Sequence, residues 1–253
     1  MKESYIDGLK LYQFDILSDK NTISHFVSCR NSYGQDFNLS YKTGIQSEVI
    51  NNRSLIAKAL NIPVIDLIIP DQVHSANVGI VDEAIKEFKE TDALITNQTG
   101  KCIAVLSADC VPVLLYDSKT KSIGAVHAGW RGTVGRIVEK TIMKMQQQYG
   151  SSPEDIYVCI GPSICKKNYE VGGELIEIIN QQFTQIDLFL ERSGESYYLD
   201  LWKLNYLQAI NGGIKPYNIE IAGICTFDHN NQFYSARKSG ISTGRFAAGI
   251  ILN

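Results

Sequence analysis

Three side chains able to bind a metal or act as a nucleophile, His74, Cys110 and His127, each stand where an apolar run gives way to turn residues. His74 follows IDLIIPDQV, Cys110 follows CIAVLSAD, and His127 ends SIGAVH before the glycine-rich AGWRG. Two imidazoles and one thiolate can hold zinc and leave a fourth position open, the arrangement of a catalytic metal site rather than a closed structural one. Taken singly, each reads as a buried core residue, because free cysteine and paired histidine are common in interiors. The chain has only four His and six Cys, so three of these ten in matching strand-end contexts point to a site. No CxxC pair occurs, which excludes a zinc-ribbon or finger pattern.

The elements that must position these residues follow from hydrophobic periodicity. Strands are predicted over 11–17 and 22–29, then a helix over 46–62 in which Val49, Ile50, Arg53 and the run 55–60 give helical spacing. Short strands are expected at IDLII, NVGIV, DALIT, CIAVL, PVLLYD and SIGAVH, most bounded by Asp, Gly, Asn or Pro. An amphipathic helix is expected past Gly132, with Thr133 near its N-cap and Gly150 as its stop. DIYVCIGP, IEIAGICT and RFAAGIIL read as strands, GGELIEIINQQF as a helix, and SYYLDLWKLNYLQAI as a strand followed by a helix. The pattern predicts a single-domain α/β (α+β) fold over 1–253, a mixed β-sheet layered with helices.

Composition narrows the function. The chain has 253 residues, 44% hydrophobic and 20% charged, ordinary for a globular domain with a buried core. A net charge of -3 argues against nucleic acid or an anionic membrane surface as partner, and favours a small molecule. The N-terminus lacks a signal-peptide core, no apolar run is long enough to span a membrane, and six scattered cysteines read as reduced thiols. The expected location is the cytoplasm. Nothing in the sequence identifies a protein partner.

The stretches QVHSANV, TDALIT, SADCVPVLLYD, GAVHAGWRGT, IGPSI with NYEVG, Cys225-Thr226, and FYSARKSGISTGRFAAGI together resemble the YfiH-type family. That family is variously labelled laccase-domain, polyphenol oxidase or purine nucleoside phosphorylase. The resemblance runs over roughly 25–252 in the family's usual order. It implies a mixed α/β fold and a Zn2+ site made by His74, Cys110 and His127. The activities it implies are phosphorolysis of adenosine, inosine and methylthioadenosine, adenosine deamination, and, under the older label, copper-dependent oxidation of phenols. The sequence departs from the family pattern at KTGIQSE before the first long helix and at Ala236, changes that bear on substrate preference more than on the metal site.

Chemistry weighs these activities. Cu2+ can occupy a single His2Cys centre, but a laccase cluster needs more imidazoles than His25 and His229, the two left over. The zinc nucleobase deaminase signature, HxE with a later PCxxC, is absent. Zinc at the triad would activate water or polarise a substrate atom. Asp109, beside a proposed ligand, would serve as general base or orienting carboxylate, or cap a turn for purely local reasons. Phosphorolysis needs an anion site, which AGWRGTVG and Arg131 would supply through free amides and a guanidinium fork, unless Arg131 is a solvated arginine on a turn. Trp130 would stack on a purine or pack on the domain. The resemblance places the 236–245 loop at the site, with Arg237 as its leading cation and Lys238 and Arg245 beside it. Arg53 and Gln72 complete the substrate-contacting set, the former as a site cation or a helix-surface charge, the latter as a reader of a base edge or as a strand-turning residue. A rival mechanism makes Cys110 a thiolate nucleophile with His127 as base, an amidase or hydrolase acting on a peptide or cell-wall precursor, since the family's fold also resembles a toxin group that deamidates through a Cys–His pair. A third reading is a binding or regulatory protein in which the triad holds a structural metal.

Overall fold

Apolar residues in the central strands alternate between two buried faces, which is why the runs read as continuous rather than alternating sequences. The structure, a computed structural model, describes residues 1–34, 36–82 and 87–253. Its strands are β1 (Lys2–Ile6), β2 (Leu9–Gln13), β3 (Ile23–Ser28), β4 (Leu67–Ile68), β5 (Val78–Ile80), β6 (Ala93–Thr96), β7 (Cys102–Ser107), β8 (Val111–Asp117), β9 (Ser122–Ala128), β10 (Ile156–Ile160), β11 (Glu170–Val171), β12 (Leu190–Ser193), β13 (Ser196–Leu199), β14 (Ile219–Ile221) and β15 (Phe246–Leu252). The helices are α1 (Gln46–Ala59), α2 (Trp130–Val134), α3 (Ile137–Tyr149), α4 (Gly173–Gln182), α5 (Leu201–Asn211) and α6 (Ala236–Ser239).

The fold is a single-domain mixed α/β architecture, but with two large sheets in place of the one expected. The first runs β1-β2-β3-β15-β7-β4, the second β14-β10-β8-β9-β6-β5, and a small third sheet runs β11-β13-β12. Ile103 and Val105 of β7 and Ala248 and Ile250 of β15 face Leu114 and Tyr116 of β8 and Ile123 and Ala125 of β9 across the core between the large sheets. The opposite faces pack outward: Val113, Leu115 and Val126 against Val138, Ile142 and Met145 of α3, and Cys102, Ala104 and Ala247 against Ile56 of α1. Four layers result, helix, sheet, sheet, helix. One of the strands at the centre of the first sheet, β15, is the C-terminal segment, antiparallel to β3 and β7.

Other expectations need correction. The helix placed from Thr133 begins at Trp130 and breaks at Arg136, which adopts φ 60°, before α3 resumes; Gly150 ends it in the left-handed conformation. Thr133 is buried within α2 and receives a hydrogen bond from Asn205 at 3.2 Å. The 11–17 strand stops at Gln13 because Asp15–Leu17 form a 3-10 turn, and the IEIAGICT strand stops at Ile221, two residues ahead of Gly223 at φ 66°. Strands β1, β11 and β12 carry polar, half-exposed sequences that give no periodic signal.

His25, in β3, is 3% exposed and its Nε2 accepts from the Phe14 amide at 2.8 Å. Burial pushes its pKa from 6.5 down to about 4, against the weaker pull of that backbone contact and of Glu220. The folded state therefore binds this proton less readily than the unfolded chain, so its neutral form contributes nothing pH-dependent above about 6.5 and costs stability as pH falls toward 4. Wild-type protein is expected to lose about 3 kcal/mol more than H25Q over that interval, measured by urea unfolding at stepped pH.

Candidate active site

The chain crosses between the two large sheets at one end of the sandwich, and those crossings carry the reactive groups. Residues 69–77 pass from β4 to β5 and bear His74; residues 108–110 pass from β7 to β8 and bear Cys110; His127 is the penultimate residue of β9. One ligand atom from each lies within 4.8 Å of the others, and the His74 and His127 rings sit 4.9 Å apart, edge to face. Among the described residues no fourth His, Cys, Asp or Glu joins the group. His74 adopts φ 64° and Asp109 φ 100°, conformations that a non-glycine residue keeps only where its surroundings hold it.

Asp92, which the sequence reading passes over, does that holding for His74. It is fully buried just before β6, and its carboxylate accepts from the amides of Val73 (3.2 Å), His74 (3.0 Å) and Ser75 (2.7 Å) and from Ser75 Oγ (2.8 Å). Its Oδ1 also lies 2.8 Å from His127 Nδ1. One carboxylate thus shapes the loop of one imidazole and orients the other. With its proton on Nδ1 facing Asp92, His127 presents Nε2 to the cluster, the carboxylate–histidine arrangement that fixes a metal-ligand tautomer. Burial opposes the charge, yet the hydrogen bonds and the charge of His127 bring Asp92 down to about 2. The sequence signal was the acid placed immediately before a fully buried apolar strand in TDALIT.

Electrostatics favour a deprotonated sulfur. Burial raises the Cys110 pKa, but the charge of His127 and hydrogen bonds from His127 and His74 outweigh it and draw the thiol down to about 6. Burial likewise lowers His127, while the Cys110 sulfur and Asp92 raise it to about 9. Two imidazoles and an easily ionised thiol, mutually within ligand reach, fit a zinc-class cation, and the donor set leaves its fourth position to the cavity. Gly129 makes room for them: a Cβ there would stand 2.9 Å from His74 Cδ2 and 3.0 Å from Cys110 Sγ. Because its φ of -68° suits alanine, Gly129→Ala is expected to leave the melting temperature within a few degrees while lowering kcat/KM at least ~10-fold, the cost of displacing ligands rather than removing them.

The cluster forms one wall of a cavity of about 780 Å³. Gln72, Arg53, Asp109 and Arg237 also line it, together with Arg245, Tyr41 and Tyr169. Gln72 is fully engaged, its amide nitrogen donating to Leu106 O at 2.8 Å and its oxygen accepting from Leu106 N at 2.7 Å, so it pins the crossing loop to β7. Asp109 accepts from Thr226 Oγ1 at 2.6 Å and from the Arg237 amide at 2.7 Å, tying three loops together. Arg53 donates to Leu39 O and stacks on Tyr41 at 4.1 Å; Arg237 donates to Glu170 O. Arg131 does not join them: it is exposed, rests on Trp130 at 4.2 Å, and lies outside the cavity wall. The AGWRGTVG glycines serve packing, since a Cβ on Gly132 would meet Ser75 O and one on Gly135 would meet Ala76 Cβ, each at 2.9 Å.

Fold and site together define an α/β enzyme with a soft-donor cluster where its two sheets exchange strands. The family described as multi-copper polyphenol oxidoreductase laccase matches residues 25–253, and the chain belongs to this family. A purine nucleoside phosphorylase of Bacteroides thetaiotaomicron is 35% identical over 96% of this chain and 97% of its own. Adenosine deaminase RL5, from an unknown prokaryotic organism, is 32% identical over 88% of this chain and 89% of its own. Among solved structures, YlmD of Geobacillus stearothermophilus superposes with a TM-score of 0.89 at 25% identity, covering 99% of this chain and 98% of that one.

Proposed function

We propose that the chain is a zinc-dependent purine nucleoside enzyme that phosphorolyses adenosine, inosine and methylthioadenosine and deaminates adenosine. The observation that carries this reading is the His74–Cys110–His127 cluster opening onto the 780 Å³ cavity, in a chain whose relatives are named for these two activities. Zinc held by the three side chains would supply Lewis acidity to the substrate atom beside it. The chain's own residues supply the rest. Asp92 holds His127 in one tautomer, and Asp109 keeps Cys110, Thr226 and Arg237 in register. Among the described residues Arg53, Arg237 and Arg245 form no ion pair with a carboxylate; their partners are backbone carbonyls. Their charge is therefore left for an anion, and phosphate is the anion that phosphorolysis consumes. Tyr41 and Tyr169 offer aromatic surface for a purine. Six free thiols fit a reducing cytoplasm, and the net charge of -3 fits a small-molecule substrate better than nucleic acid; among the described residues no helix is long and apolar enough to cross a membrane.

Incubating the protein with adenosine, with and without phosphate, before and after chelation tests the reading. Ribose 1-phosphate reports phosphorolysis and inosine reports deamination. Full activity in the metal-free protein overturns the zinc requirement, and neither product from zinc-loaded protein overturns the nucleoside assignment. A Cys–His amidase is the second reading, supported by the Asp92–His127–Cys110 chain, which has the order of a nucleophile, base and orienting acid. Ammonia release from glutamine amides by the chelated protein is its signature. For copper-dependent phenol oxidation, His74 and His127 are the only imidazoles in a donor group among the described residues, since His25 and His229 join none, and a laccase cluster needs more.

A further inference from the structure

A second donor cluster lies behind the cavity. Cys165, Cys225 and Asp228 bring two sulfurs and a carboxylate oxygen within 4.8 Å of one another, and none of the three lines the cavity. The Asn168 side chain reaches all three. Its Nδ2 lies 3.4 Å from Cys165 Sγ, 3.3 Å from Cys225 Sγ and 2.9 Å from Asp228 Oδ1. One amide nitrogen thus faces two sulfurs and a carboxylate oxygen, and each sulfur carries a thiol proton that a cation would displace. The Cys165 amide also points at Cys225 Sγ, at 3.3 Å.

We propose that Cys165, Cys225 and Asp228 form a second metal site, for a thiophilic divalent cation of the zinc class, with the Asn168 side-chain oxygen as fourth donor. Turning the Asn168 amide over would exchange its hydrogen bond to Asp228 for an oxygen donor on the same side of the cluster, which gives the four N/O/S donors that a closed tetrahedral site requires. Charge balances as well. Two thiolates and a carboxylate carry three negative charges, and a divalent cation together with the Lys167 ammonium, 2.7 Å from Asp228 Oδ2, carries three positive ones. Binding releases the two thiol protons to solvent, so no oxidant or reductant is needed. The backbone around the cluster is already paired: Ser163 N donates to Ile224 O and Thr226 N to Ser163 O, both at 3.1 Å. From the same two turns Ile164 N donates to Asp109 O at 3.0 Å and Thr226 Oγ1 to Asp109 Oδ1. A cation here ties together the two turns that hold the Asp109 end of the first site, a positioning role rather than a catalytic one.

Cadmium reports the site independently of activity, through the ultraviolet sulfur-to-metal charge-transfer band. In C110A, which lacks the only thiol of the first cluster, titration with Cd2+ under a non-thiol reductant is expected to produce that band, saturating at one equivalent. Adding C165S or C225S is expected to abolish it, and adding D228N to weaken binding at least ~10-fold. Cys165 is half-buried, so C165S keeps the test open if the buried Cys225 tolerates no substitution. Absence of the band in C110A, its survival in C110A/C165S, or a Cys165–Cys225 disulfide that persists in reductant overturns the site.

Discussion

Cys110→Ala is expected to lower kcat/KM for adenosine more than ~100-fold, beyond the 10- to 100-fold that loss of a supporting partner around a metal typically costs. The sulfur is one of only three donors in its cluster and the one that carries charge. Its anion, together with Asp92, also holds the His127 imidazole up at about 9 against burial, so the substitution removes part of that support and lowers it. Stability changes little, by about 1 kcal/mol or less, because Cys110 is half-buried and alanine suits its place at the head of β8. Cys110→Ser separates the two mechanisms further: a hydroxyl is a poor soft-metal ligand but keeps hydrogen-bond geometry. Zinc affinity, read by competition with a chromophoric chelator, should fall with the rate in both variants. It should also fall as pH is lowered for wild type, since protons compete for the same sulfur and imidazole nitrogens. A wild-type rate in Cys110→Ala would remove the cluster from the reaction.

Asp92→Ala is expected to be the most damaging substitution for fold and site together. It strips the acceptor from three consecutive amides, Val73 to Ser75, and from His127, leaving donors unpaired beside a wholly buried position. Loss of one member of such a buried pair costs about 3–5 kcal/mol. Asp92→Asn keeps the volume and one acceptor but places an amide among N–H donors; about 10- to 100-fold weaker zinc binding is expected. The pH dependence has a definite sign. Because the folded carboxyl sits at about 2 against an ordinary 3.8, its contribution is present above about pH 4 and disappears as pH falls through 2. Wild type and Asp92→Asn should therefore differ in melting temperature at neutral pH and converge in strong acid. Equal stability at pH 7 would show that the carboxylate does not organise the loop.

The ligand trio was legible because imidazole and thiol are scarce types in this chain and each stands at the end of an apolar strand. The longer helices were legible too: those expected over 46–62, past Gly132 to Gly150, at GGELIEIINQQF and in the second part of SYYLDLWKLNYLQAI correspond to α1, α3, α4 and α5. What supports the trio was hidden. Asp92 and Gly129 act through space, the one by accepting from a loop about 18 residues away in sequence, the other by having no Cβ between two ligands. The acid at the head of TDALIT marks the position of Asp92, but no local pattern marks which loop it holds or which two ligands Gly129 separates. Arg131 shows the converse: next to the site in sequence, it turns away onto Trp130, whereas Arg53, from the distant α1, faces the cavity.

The sequence by itself determined most of the buried strands and the longer helices, and which side chains have the chemistry to react, because propensity, periodicity and donor type are local properties; the polar strands β1, β11 and β12 carried no such mark. Only the tertiary structure decided that the strands divide between two sheets. A strand buried on both faces, such as Val111–Asp117, carries no mark of which apolar neighbour it meets on either side. The same long-range pairing, with the last strand inserted between β3 and β7, brings the crossing loops to one end and sets His74, Cys110 and His127 within bonding reach of a single ion.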